Sequence, residues 1–200
     1  MGGARSRLVF PIPHHPFLIS HYAAMSLDFS KNHFELFGLP LRFGIDGERL
    51  DQAFRGIQAE IHPDKFAHAG EAEQRLSMQW STRVNEAYQT LRKPFERARY
   101  LLQLHGVDAM DAKNTAMPAD FLMQQMEWRE ALLEAGESRD AKALQSLEKD
   151  LKAHAQSLQG QLAHLLDEQN NYAAAGDVLR KVRFMDKLLE EIDATYEAIE

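Results

Sequence analysis

The 200-residue chain contains no cysteine. Disulfides, thiol nucleophiles and cysteine-ligated zinc or iron–sulfur centres are thereby excluded, and a reducing setting such as the cytoplasm suits the composition. There is no apolar run of about 18 residues or more, so no helical membrane span is predicted. No stretch alternates apolar and polar residues as a half-buried strand would. A glycine-rich phosphate loop and a clustered basic stripe are also missing, which disfavours nucleotide chemistry and nucleic-acid binding.

What is there describes a helical globular chain. Hydrophobic residues make up 44% and charged residues 26% of the sequence, enough apolar material for one or two cores. The net charge of −7 is unevenly placed. Residues 31–104 carry 11 basic and 10 acidic side chains, whereas residues 118–200 carry 9 basic and 17 acidic ones. Between them, "HGVDAMDAKNTAMP" (105–118) supplies Gly106, Asn114 and Pro118 as helix punctuation. The expected organisation is therefore an amino-terminal extension over 1–30, a first domain over 31–104, a linker over 105–117 and a second domain over 118–200. The extension holds three prolines within "FPIPHHP" and no acid before Asp28, a composition expected to be disordered, and Met25 is a candidate translation start.

Periodicity predicts helices near 32–38, 46–61, 71–92, 94–104, 119–135, 139–168 and 171–198. Pro94 suits a first helical turn, Gly136 is expected to close the fifth helix, and Ser138 to open the sixth. In the first domain Phe34, Leu36, Phe37, Leu50, Phe54, Ile57, Ile61, Phe66, Val84, Ala87, Tyr88 and Leu91 fall at helical spacings and are assigned to its core. In the second, Leu144, Leu147, Leu151, Leu158, Leu162 and Leu165 form one stripe, with His154 on the same face. Val178, Val182, Met185, Leu189, Ile192, Tyr196 and Ile199 form another, and Phe121, Trp128, Leu132 and Ala135 supply a third face. Three antiparallel helices result.

Two features exceed what a core requires. His62-Pro63-Asp64 interrupts a helical period that resumes within about ten residues. Pro63 forces the preceding helix to end at or before His62, and Asp64 with Lys65 should then face solvent on a stiff turn. No serine or cysteine nucleophile accompanies the tripeptide, so catalysis is a poor reading of it, and taken alone it also suits an ordinary helix-hairpin loop. The second feature is a set of leftover apolar residues. Leu122, Met123, Met126 and Leu133 project away from Phe121 and Trp128 among Glu127, Glu130 and Glu134, while Phe184 and Leu188 lie off the stripe of the last helix. Methionine among carboxylates suits an adaptable contact surface for a partner bearing basic groups. A wider buried arc, or packing on the first domain, would explain the same residues.

"FELFGLP", "LDQAFRGIQAEIHPDKF" and "VNEAYQTLRKPFERARY" together resemble the J domain of DnaJ-type co-chaperones over residues 32–100. In that family the His-Pro-Asp turn docks on a seventy-kilodalton heat-shock ATPase, which implies that role for His62, Pro63 and Asp64, flanked by Lys65 and Arg55. Gly56, Glu60 and Ile61 replace residues that are commonly lysines or a tyrosine, so the basic docking face is thinner. With "FLMQQMEWRE" and "VLRKVRFMDKL" added, the chain from about residue 31 onward resembles HscB-type co-chaperones of iron–sulfur cluster assembly. The resemblance implies an all-α fold, with a J domain followed by a three-helix bundle that binds the scaffold protein IscU. The implied scaffold-binding positions are Leu122, Met123, Met126, Glu127, Glu130, Glu134 and Phe184, and the implied ATPase partner is HscA. Neither catalytic residues nor a cofactor or metal of its own is implied. A general J protein recruiting unfolded clients to a DnaK-class chaperone is the alternative, but it would usually carry a Gly/Phe-rich linker and a cysteine-rich zinc region. A helical metal-dependent hydrolase is a further rival, since the chain has nine histidines. His14, His15 and His21 lie in the extension, His68 and His105 in turns, and His154 and His164 too far apart to share an ion.

Overall fold

Two helical layers meet along a shared seam, and local sequence explains most of their elements. The computed structural model describes residues 28–111 and 117–199. The extension expected to be disordered, apart from residues 28–30, lies outside the described residues, as do Met25, Asn114 and residues 112–116 of the expected linker. Residues 28–31 belong to a separate unit, where the Ser30 amide donates to Asp28 Oδ1 at 2.8 Å. Residues 32–200 form the second unit, which carries the helices.

Helix α1, His33–Leu36, begins with a capping box in which Asn32 and Glu35 exchange side-chain and backbone hydrogen bonds. Asp46 caps α2, Gly47–Ile61, by accepting from the amides of Glu48 and Arg49. After a short 3₁₀ turn, Pro63–Phe66, the chain returns as α3, Glu71–Arg92. Pro94 opens α4, Pro94–Leu104, where its missing amide hydrogen costs nothing. Gly106, at φ +75°, ends α4 in the left-handed region, and the Val107 amide reaches back to the Leu102 carbonyl at 2.9 Å.

The carboxy-terminal bundle consists of α5, Ala119–Glu137; α6, Ala141–Ala163; and α7, Tyr172–Ile199. A single π turn, His164–Glu168, extends α6. Among the described residues there is no strand, and the all-α class holds.

The cores form where periodicity placed them, with instructive exceptions. Phe34, Phe37, Leu50, Ile61, Val84, Ala87, Tyr88 and Leu91 are buried, joined by Trp80, Leu101 and Leu102; Leu36, Phe54, Ile57 and Phe66 are half-buried. Gly136 does not close α5 but sits inside it, where an added Cβ would lie 3.2 Å from Thr195 Cγ2 of α7. The helix instead runs on to Glu137 with Ser138 as its C-cap, Arg139 follows in the left-handed region at φ 52°, and Asp140 rather than Ser138 caps α6. Leu165 is half-buried while Leu166 is buried, because the wider π turn rotates the stripe by one position. His154 is exposed and meets the edge of Trp128, with centroids 5.1 Å apart, instead of entering the core. Leu188 is fully buried and Leu189, Tyr196 and Ile199 are only half-buried, since α7 is covered by α4, α5 and α6 and buries a wide arc.

Candidate docking sites

The helix α2 register ends at Ile61, and His62 turns extended at φ −56°, ψ 128°, as a residue preceding proline must. The Asp64 amide donates to His62 Nδ1 at 3.3 Å, and the Lys65 amide to the His62 carbonyl at 3.0 Å. The Asp64 carboxylate faces outward, its side chain 89% exposed and its Oδ2 3.5 Å from His62 Nδ1. His62, Pro63 and Lys65 are exposed as well, and so is Arg55 on α2.

Helix α3 holds this corner from beneath. Ser77, buried on α3, donates to the Ile61 carbonyl at 2.6 Å. Gln74 Nε2 donates to the carbonyls of Ala67 and Ala69 at 3.3 and 3.0 Å. The last carbonyls of α2 and the loop thus gain partners that a helix end otherwise lacks. Sequence reading passed over both residues. The signal was a serine lying three positions before Trp80 on the buried stripe of α3, opposite the end of the neighbouring helix.

Lower on the hairpin, Tyr88 stacks on Phe54 with centroids 4.0 Å apart, donates to Asp51 at 2.9 Å and accepts from Arg92 at 2.7 Å. Burial, followed by the Asp51 hydrogen bond, raises its hydroxyl above the ordinary tyrosine range. Gln58 Nε2 also donates to Asn85 Oδ1 at 2.8 Å, tying the outer faces of α2 and α3.

On α5 two apolar faces coexist. Phe121, Trp128, Leu132 and Ala135 are buried against the bundle. Leu122, Met123, Met126 and Leu133 remain 45%, 65%, 72% and 63% exposed, and Glu127, Glu130 and Glu134 are exposed around them. At about 100° per residue the strip occupies the solvent side of the helix.

Phe184 does not lie out on the strip. It is half-buried at the edge of the core, edge-on to Phe121 at 5.8 Å and stacked near Trp128 at 6.4 Å. The Arg129 guanidinium covers its ring at 5.6 Å and Lys181 Nζ sits 5.2 Å from the Phe121 centroid. Spacing alone placed Phe184 beside Leu188, but α7 turns the first to the bundle's rim and the second inward. Arg129 also faces Glu191 at 3.4 Å, a pair exposed enough to add little stability.

An exposed His-Pro-Asp corner on a helical hairpin, packed in one compact unit with a three-helix bundle, defines a J-domain protein with a carboxy-terminal bundle. Residues 117–193 match a family model described as the HSCB C-terminal oligomerisation domain. A co-chaperone protein HscB homologue of Aromatoleum aromaticum is 48% identical over 176 residues, covering 88% of this chain and 99% of that protein. The chaperone HscB from Vibrio cholerae superposes with a TM-score of 0.74 at 37% identity, over 85% of this chain and all of that one. Human co-chaperone protein HscB superposes with a TM-score of 0.76 at 30% identity, over 84% and 83% of the two chains. The chain belongs to the HscB co-chaperone family. Among the described residues no helix is long and apolar enough to cross a membrane.

Proposed function

We propose that this protein serves iron–sulfur cluster assembly by bringing an IscU-type scaffold to an HscA-type heat-shock ATPase. Residues 31–104 act as the J domain, 105–117 as the linker and 118–200 as the scaffold-binding domain. The observation that carries the reading is the coexistence, on one helical body, of an outward carboxylate at a proline-stiffened corner and an exposed apolar strip rimmed by glutamates.

Each site's chemistry supports its role. Met123 and Met126 offer unbranched, flexible apolar side chains that mould to a partner beside Leu122, and Glu127, Glu130 and Glu134 select for basic groups beside them. Phe184, at the rim with Arg129 above it, extends the surface towards α7. His62, Pro63, Asp64 and Lys65, with Arg55 behind, meet the ATP-bound chaperone. Holding the scaffold on the same chain raises its effective concentration near the chaperone's peptide groove. Docking at the corner then favours ATP hydrolysis and closure of the chaperone on the scaffold, which assists release of the cluster to an acceptor. The chain performs no covalent step and, having no cysteine, offers no thiolate to the cluster. A cytoplasmic setting fits that composition.

Steady-state ATPase assays with purified HscA-type and IscU-type proteins test this. The wild-type chain should stimulate hydrolysis, and the scaffold should add to it. Asp64→Asn should abolish stimulation while retaining scaffold binding and helicity. Equal stimulation by an unfolded client and none by the scaffold would instead identify a general J protein acting on a DnaK-class chaperone.

A further inference from the structure

We propose that Asp167 is a positioning residue: its carboxylate latches the bundle to the α1–α2 loop and so sets the direction in which a bound scaffold faces the chaperone. The role rests on the function proposed above. The latch itself does not.

The geometry begins with the π turn at His164–Glu168, whose extra residue per turn directs Asp167 away from the α6 stripe. The side chain is 6% exposed. It accepts the Phe43 amide on Oδ1 at 2.6 Å and the Gly44 amide on Oδ2 at 2.7 Å, with Arg42 Nε at 3.6 Å. A buried carboxylate needs such partners, and all of these come from the amino-terminal domain. At residue 44 an added Cβ would lie 3.2 Å from Asp167 Oδ2, so the contact leaves little room for a side chain.

The same loop is gripped from its other side. Arg97, on α4, donates to the Phe43 carbonyl at 2.8 Å and to the Leu91 carbonyl at 2.5 Å, and its guanidinium covers the Phe43 ring at 5.0 Å. Burial lowers its ionisation range, and the charge of Asp167 opposes that shift. Phe43 is buried and fastened from both domains at once.

A single helix–helix seam allows packed elements to slide and roll by small shears. Here the first seam is α4 on α7, marked by the His105–Tyr172 stack at 3.8 Å and by Arg183 over Phe95 at 5.7 Å. The Asp167 contact adds a second attachment, through the α1–α2 loop. With both in place the domains keep one orientation, and both docking sites inherit it. Neither Asp167 nor Gly44 belongs to those sites.

Because the chain has no cysteine, spin labels can be attached through Glu60→Cys and Gln156→Cys, both exposed and one in each domain. Pulsed-EPR distances in the labelled full chain should be narrowly distributed. Asp167→Asn should broaden them, since its amide group sets a donor against a backbone N–H. Gly44→Ala should broaden them less, attacking the same contact from the other side and serving if Asp167→Asn folds poorly. In ATPase assays Asp167→Asn should bind scaffold and stimulate the chaperone alone as the parent does. The further stimulation caused by adding scaffold should fall about fivefold or more, the scale of a lost coupling. Distributions as narrow as the parent's in both folded variants overturn the latch, whatever the partners do. Broad distributions with undiminished coupling overturn its part in presentation. A parent chain that never binds scaffold instead overturns the function proposed above, and the distance measurement still decides the latch.

Discussion

Replacing Met123 and Met126 together by alanine separates a contact surface from a core with one measurement. The two side chains are 65% and 72% exposed, so the free protein gains little from them. Fully burying a methionine stabilises by about 1.5–3 kcal/mol, so covering the exposed fractions against a scaffold contributes roughly 1–2 kcal/mol each. Alanine keeps part of that contact, and the pair should therefore lose about 2–3 kcal/mol, a roughly 30- to 150-fold rise in Kd. Titration calorimetry with an IscU-type scaffold reads the change directly. Stability should stay within about 0.5 kcal/mol of the parent, as for ordinary surface positions, and alanine is no worse a helix former than methionine. Leu132→Ala supplies the contrast on the same helix. That leucine is buried, and its truncation should cost about 2–5 kcal/mol of stability through the cavity it leaves. A change in Kd below threefold in the folded double variant would refute the assignment, as would a loss of stability like that of Leu132→Ala.

Ser77→Ala should leave the Ile61 carbonyl without its buried donor, at a cost of about 1–3 kcal/mol, lowering Tm by roughly 3–10 °C and weakening ATPase stimulation because the corner loses its anchor. Thermal melts and the ATPase assay would show it, and an unchanged Tm would contradict the anchoring role. Phe184→Ala should change the fluorescence of Trp128, which lies 6.4 Å away, and lower stability by about 3 kcal/mol or less, given its half-burial. A silent spectrum would mean that the aromatic cluster does not form. His33 stacks on Tyr100 at 4.1 Å with Nδ1 buried and without a hydrogen-bond partner among the described residues. Burial, then the charge of Arg83, lowers its pKa. The unfolded chain therefore binds a proton near pH 6.5 before the folded one does, so stability is lost as pH falls below about 6.5 towards the folded value. Urea denaturation at pH 7.5 and 5.5 should give a smaller difference for His33→Gln than for the parent, and an equal difference would refute it.

Much of this molecule is legible along its sequence because the signals are local. A capping aspartate, a proline in a first turn and apolar residues every three or four positions specify a helix whatever surrounds it. They set the elements near 46–61, 71–92 and 94–104 to within a residue or so of Gly47–Ile61, Glu71–Arg92 and Pro94–Leu104. The exposed corner is legible for the same reason, since proline dictates the conformation of the residue before it. Gly136 misled because a glycine read locally signals a helix end, whereas here it admits the close approach of Thr195 from α7.

What periodicity cannot contain is the number of neighbours a helix will meet. Leu188 is buried because α7 is packed from more than one side, and Leu166 supplants Leu165 because one turn closes with an extra residue. Asp167 meets Phe43 and Gly44 across more than 120 positions of chain, and Ser77 meets Ile61 across the hairpin. The sequence by itself determined the helices, the stiff corner and an apolar strip among glutamates, since each follows from residues within a few turns of one another. Only the tertiary structure decided which apolar residues stay in water and how the domains are fastened, because burial and buried charge depend on partners brought from elsewhere in the chain.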